Sequence, residues 1–194
     1  MDYKNFFKLA EAPFEITADP RYFFPSTQHT AAIKKILDSV STSSNLTIMT
    51  GSVGLGKTFI TQKIFSDLQE SPAVRDGKAS PAPPDIGVIV LLHNEITPLW
   101  LLKGIAAQLE VEVAGTEKDM LEAAIKARLV SNYREKKQSI IFIDEAQMLQ
   151  QAETLLQLKS LLDISVSGDS TLEVVLTGTP DLERIFSYLP GLQR

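Results

Sequence analysis

At 194 residues the chain has the length of one compact domain, and an apolar fraction of 44% supplies ample core. A formal net charge of −5 argues against a surface wrapped in nucleic acid by bulk electrostatics, leaving room only for a small local basic patch. The absence of cysteine excludes disulfides, thiolate metal sites and a cysteine nucleophile.

The first 24 residues hold Tyr3, Phe6, Phe7, Phe14, Tyr22, Phe23 and Phe24, a density of aromatics that predicts a segment packed on the domain rather than a loose tail. Pro13, Pro20 and Pro25 predict an extended, turning path there. Ser26 or Thr27 then caps an expected helix from about Gln28 to Val40. Leu46 to Thr50 reads as a short buried strand, and Thr58 to Leu68 as a helix. Ser71 to Asp85, rich in proline and alanine, reads as a flexible surface insertion. A second strand is expected over Ile86 to Leu92. Thr97 before Pro98 marks the start of a helix reaching about Leu109. Thr116 with Asp119 forms a capping-box-like start for the next helix, whose apolar stripe is Leu121, Ile125 and Leu129. Ser139 to Ile143 reads as a third buried strand, Ala152 to Leu162 as a helix, Ser165 to Ser170 as a loop, and Leu172 to Leu176 as a fourth strand.

Apolar strands interleaved with helices predict an α/β fold, a parallel sheet covered on both faces. Residues 1–194 are read as one domain core, with residues 1–40 packed on it and 71–85 inserted. No apolar run reaches the roughly 18 residues needed to span a bilayer. Met1-Asp2-Tyr3-Lys4 lacks the pattern of a signal peptide, so a cytosolic chain is expected.

The residues that carry chemistry begin with Gly51-Ser52-Val53-Gly54-Leu55-Gly56-Lys57-Thr58, which fits G-x-x-x-x-G-K-[ST] and is followed by Phe59. The glycines let backbone N–H groups converge on a phosphate at the positive end of the following helix. Lys57 is suited to the β- and γ-phosphates of ATP, and the Thr58 hydroxyl to magnesium. The second motif is Ile140-Ile141-Phe142-Ile143-Asp144-Glu145, an apolar strand that delivers two carboxylates to the ligand edge of an open sheet. Asp144 is suited to hold Mg2+ through its water shell, and Glu145 to polarise the attacking water. Asn94, after the second strand, is a candidate to restrain Glu145, although turn preference accounts for it equally well. Thr179, with Thr177 as the alternative, is a candidate sensor of the γ-phosphate, and a solvated loop threonine fits the same pattern. His29 and His93 have no motif around them, and Arg184 and Arg194 fall on an expected terminal helix.

Phe6-Phe7-Lys8-Leu9 with Pro13-Phe14-Glu15-Ile16-Thr17-Ala18-Asp19-Pro20-Arg21 resembles the N-terminus of ExeA/GspA-type AAA+ ATPases, the general secretion pathway protein A family. The P-loop, Asp144-Glu145-Ala146-Gln147 and Gly178-Thr179-Pro180-Asp181-Leu182 fall where that family has its counterparts. The resemblance implies an AAA+ core that hydrolyses ATP as a homo-oligomer, with partners in type II secretion or pilus assembly. Related TniB- and TnsC-like proteins regulate transposition on DNA, which gives the alternative of a nucleotide-gated DNA- or protein-binding switch. By position, Asn94 matches the family's residue that switches the catalytic glutamate, and Thr179 its first sensor. Arg194, or Arg184, falls near the arginine finger. The family continues into a fifth strand and a helical lid that this chain lacks, so the expected activity is weak. Some relatives also carry a membrane anchor, which would make the chain the cytosolic part of such a protein.

Counting only the four proposed strands, the expected sheet order is 1-4-3-2, with both motifs at one edge.

Overall fold

The computed structural model describes residues 3–10, 20–42, 44–70, 74–75, 78–79, 84–90, 96–113, 115 and 117–187. In chain order the elements are α1 (Tyr3–Phe7), a 3₁₀ turn (Pro20–Tyr22), α2 (Thr27–Ser41), β1 (Leu46–Thr50), α3 (Lys57–Glu70), β2 (Val74–Arg75), β3 (Lys78–Ala79) and β4 (Asp85–Val90). They continue with α4 (Pro98–Gln108), α5 (Lys118–Arg134), β5 (Ser139–Asp144), a 3₁₀ turn (Ala146–Met148), α6 (Ala152–Leu162), β6 (Ser165–Val166), β7 (Asp169–Ser170), β8 (Glu173–Gly178) and α7 (Asp181–Ser187).

The main sheet has the order β1-β8-β5-β4, all parallel, which is the expected 1-4-3-2 arrangement. β5 and β8 are buried along their whole length, and their residues alternate between two cores. Ile140, Phe142 and Val175 face Ile36, Val40, Ile60, Ile64 and Leu68 of α2 and α3. Ile141, Ile143, Val174 and Leu176 face the opposite core, built from α4, α5, α6 and α7. A strand with apolar side chains on both faces is stable only when both are covered, which is why the central strands read as unbroken apolar runs.

Local capping follows the sequence closely. Ser26 accepts from the His29 amide at 3.2 Å, and Thr97 accepts from Trp100 N at 3.2 Å ahead of Pro98. Leu121, Ile125 and Leu129 are the buried stripe of α5.

Several expectations are corrected. β1 is an edge strand and only half-buried, with Ile48 38% exposed, because β8 pairs with one side of it alone. α5 begins at Lys118 after Glu117, which makes no side-chain cap; Thr116 lies outside the described residues. Ser165 to Ser170 is an antiparallel hairpin rather than a plain loop, since Ser167 (φ 57°) and Gly168 (φ 92°) adopt the left-handed turn that two short strands need. Within 71–85, Val74–Arg75 pairs antiparallel with Lys78–Ala79, and Asp85 is the first residue of β4. The N-terminal aromatics do not pack as a group. Phe6, Phe7 and Phe24 are 69%, 65% and 78% exposed, while Phe23 alone of the described ones packs against a core, and it stacks on Phe59. A five-residue helix with no buried residue has no face to anchor those rings, and Phe6 and Phe7 meet each other edge-on instead. Phe14, Asn94, His93 and Arg194 lie outside the described residues. Among the described residues no helix is long and apolar enough to cross a membrane.

Candidate functional site

The loop between β1 and α3 is shaped by its glycines. Gly54 (φ 84°) and Gly56 (φ 77°) occupy the left-handed region, where a side chain would be strained. The Gly51 amide donates to Gly178 O at 3.1 Å, fixing the start of the loop to the end of β8. The Ile60 amide donates to Gly56 O at 2.9 Å, opening α3 directly behind the loop. Lys57 is buried, and its ammonium donates to the carbonyls of Gly51 at 2.9 Å and Ser52 at 3.1 Å. A cation held by neutral carbonyls exchanges them readily for phosphate oxygens, which bind it more strongly. Ser52, Val53, Gly54 and Leu55 are exposed, so the loop opens to solvent.

The two motifs meet. Thr58 Oγ1 donates to Asp144 Oδ2 at 2.6 Å, joining residues 86 positions apart. Asp144, 1% exposed at the end of β5, also accepts through Oδ1 from the Glu145 amide at 2.9 Å and from the Thr177 hydroxyl. A buried carboxylate is tolerable because these donors replace water. Thr58 and Asp144 present oxygen donors only, which suits a hard divalent cation such as magnesium, held by one carboxylate and a hydroxyl alongside substrate oxygens.

Glu145 is the first residue past β5, and its backbone sits in the left-handed region at φ 56°, ψ 37°. A non-glycine residue adopts that conformation at a cost of roughly 1–2 kcal/mol, and such outliers concentrate at functional sites. Gln147 Nε2 donates to Glu145 Oε2 at 2.5 Å.

The sequence offered Thr179 or Thr177 for one role, and the structure separates them. Thr177 reaches Asp144 with its hydroxyl; Thr179 is bonded through its backbone amide to Gln147 Oε1 at 3.1 Å. Phe59 stacks on Phe23, ring centroids 5.9 Å apart. Arg184 is exposed on α7, and Lys34 and Lys35 are exposed on α2, while Lys63 pairs with Asp67 on its own helix.

Sequence reasoning passed over two residues. His29 Nε2 donates to the Leu55 carbonyl at 3.2 Å, tying α2 to the apex of the loop. Nothing local to His29 signals this, because its partner is 26 residues away. Gln147 was visible in the Asp-Glu-Ala-Gln run but carried no assigned role. A surface depression lined by Tyr133, Lys137, Ser139 and Glu173 belongs to the opposite end of the strands, where β5 and β8 begin, and so does not serve this site.

A P-loop joined through a threonine to the aspartate of a neighbouring strand, in a 1-4-3-2 parallel sheet, defines a P-loop nucleotide-binding core. The AAA domain family matches residues 40–186, and the chain belongs to that family. Membership carries nucleotide binding with it. General secretion pathway protein A of Aeromonas hydrophila is 27% identical over 186 residues, covering 94% of this chain and 31% of that protein. The chain thus spans about a third of that relative's length. Among solved structures, the Aeropyrum pernix ORC2 protein in its ADPNP-ADP complexes matches with a TM-score of 0.62 and 20% identity, over 90% of this chain and 47% of that one. The Aeropyrum pernix ORC1 protein in complex with DNA matches with a TM-score of 0.61 and 15% identity, over 91% and 44%. At such identities the likeness is one of fold.

Proposed function

We propose that this chain is an AAA+ ATPase core that binds ATP with magnesium and hydrolyses it to ADP and phosphate. The observation that carries the reading is the 2.6 Å bond between Thr58 and Asp144, which brings the phosphate loop and the acidic strand end into one site. The backbone amides of residues 51–58 bind the phosphates, helped by the positive end of α3. Lys57 leaves the Gly51 and Ser52 carbonyls for the β- and γ-phosphates. Thr58 and Asp144 hold magnesium, which when bound supplies charge neutralisation on the phosphate oxygens. Glu145 orients a water and accepts its proton as the water attacks the γ-phosphorus and the bond to the bridging oxygen breaks, releasing ADP. Asn94 and Thr179 are assigned to the control of Glu145 and the sensing of the γ-phosphate.

The relative in Aeromonas hydrophila supports a role in energising or regulating a secretion- or pilus-type assembly from the cytosolic side, with the chain working as a homo-oligomer. An arginine supplied by a neighbouring copy is worth roughly 10³–10⁵ in rate at comparable sites. Arg184 and Arg194 are the candidates.

The test separates binding from turnover. Lys57→Ala is expected to weaken ATP binding by removing a positive charge from the phosphates. Glu145→Gln is expected to keep binding and slow phosphate release by roughly 10²-fold or more. Hydrolysis by Glu145→Gln at the wild-type rate rejects the role given to Glu145.

A further inference from the structure

Gln147 stands two positions beyond Glu145, in the 3₁₀ turn that follows β5. Both ends of its amide are used. Nε2 donates to Glu145 Oε2 at 2.5 Å, and Oε1 accepts from the Thr179 backbone N–H at 3.1 Å. A side-chain amide carries a donor and an acceptor on one rigid plane, which neither a carboxylate nor an ammonium offers. The two bonds therefore form a short path from the end of β8 to the carboxylate.

Gly178 keeps that path open. A Cβ there would lie 2.5 Å from Gln147 Oε1 and 3.3 Å from its backbone nitrogen. Gly178 is not among the positive-φ glycines, so its own backbone does not call for glycine. The passage of Gln147 does.

We propose that Gln147 is a positioning residue that couples the Glu145 carboxylate to the end of β8, so that a shift of Thr179 on nucleotide binding moves the group that orients water. The proposal rests on the reading of Glu145 given above. It accounts for two features together: the glycine at 178 and the engagement of both ends of the Gln147 amide. Gln147 touches neither phosphate nor water in this scheme. It acts through Glu145.

The test begins with nucleotide-free, ¹⁵N-labelled protein, in which the Gln147 side-chain NH₂ resonances are assigned by their loss in Gln147→Met. Glu145→Gln and Gly178→Ala are each expected to move those resonances; if neither moves them, the coupling is overturned whatever the rate of turnover. Single-turnover hydrolysis with protein in excess then measures the chemical step. Gln147→Met, which keeps length and loses both bonds, and Gly178→Ala, which displaces the amide, should each slow it by about 10- to 100-fold. For Gln147→Met the affinity for a non-hydrolysable ATP analogue should change by less than about threefold, since the effect lies on turnover and not on binding. In a Glu145→Gln background, adding Gln147→Met should cost no more than about twofold, because residues acting as one unit are not additive. Full additive loss in that background would mark Gln147 as merely structural and overturn the coupling. A wild-type rate in Gln147→Met beside a slow Glu145→Gln would overturn the coupling and leave the function standing. A wild-type rate in Glu145→Gln would reject the role given to Glu145, and with it the premise of the coupling.

Discussion

Replacing Thr177 with valine tests how Asp144 is held. Valine keeps the shape of threonine and its preference for a strand, so the change amounts to one hydroxyl. Thr177 and Asp144 are each 1% exposed, and no solvent stands ready to take the hydroxyl's place. The carboxylate keeps the Thr58 hydroxyl on Oδ2 at 2.6 Å and the Glu145 amide on Oδ1 at 2.9 Å, and loses its link to β8. A hydrogen bond to a charged group contributes about 1.5–3 kcal/mol, and a buried methyl in place of the hydroxyl returns something under about 1 kcal/mol. The net loss is about 1–2 kcal/mol, which lowers Tm by about 2–8 °C in a chain of this size. Calorimetry or far-UV melting measures it directly. Thr179→Val is the control: the bond that the structure gives Thr179 is made by its backbone amide, which valine retains, so its Tm should stay within about 1 °C. A second reading follows from Asp144. Titration of a fluorescent ATP analogue with magnesium and with EDTA should show Thr177→Val losing part of the magnesium-dependent affinity while the EDTA value holds. An unchanged Tm together with unchanged magnesium dependence would refute the idea that β8 fixes this carboxylate.

Two further expectations concern the flanks of the site. His29→Ala removes the tie between α2 and Leu55, so amide exchange across residues 53–56 should accelerate and nucleotide affinity should fall by roughly three- to tenfold; equal exchange in both proteins would dismiss the tie. Asn132→Leu strips the buried amide that donates to Asp85 Oδ2 at 2.9 Å and Ser139 Oγ at 2.8 Å, at the far end of the strands. It should cost about 2 kcal/mol, or about 4–8 °C in Tm, and leave ATP affinity alone; a loss of affinity with no loss of stability would contradict that placement.

Much of the sheet was legible because parallel strands buried on both faces have to be apolar throughout. Ser139 to Ile143 and Leu172 to Leu176 could hardly be anything else, and the sheet order followed from the P-loop ATPase pattern, which delivers both motifs to one edge. Helices were legible where a cap announced them, at Ser26 and at Thr97-Pro98. Failures arose where the deciding contact is distant or weak. The aromatic N-terminus looked like core by composition, but an aromatic buries itself only if an element offers it a face, and α1 is too short to do so. The hairpin at Ser165 to Ser170 was hidden because two-residue strands leave no periodicity to read. At the site, the local motifs 51–58 and 144–145 were plain. The polar links from His29, Thr177 and Gln147 were not, because a side chain's partner across the fold leaves no mark in its own neighbourhood.

Two of those links, from Thr177 and Gln147, share an address. β8 lies between β1 and β5, so its end is the one strand terminus in contact with both motifs. The Gly178 carbonyl receives the first amide of the phosphate loop, the Thr177 hydroxyl holds Asp144, and the Thr179 amide meets Gln147 on the way to Glu145. One residue further round, Thr50 at the end of β1 donates to Glu183 of α7 at 2.8 Å, binding the helix that follows β8 to the loop's own strand. Were the order simply sequential, the loop and the acidic strand would have to meet without an intermediary. Inserting β8 between them gives the site a single member that both halves are bonded to. A displacement of three consecutive residues, 177 to 179, would then be felt at once by the phosphate loop, the aspartate and the glutamate. On the function proposed here, the chemistry belongs to β1 and β5 and its coordination to the strand between them.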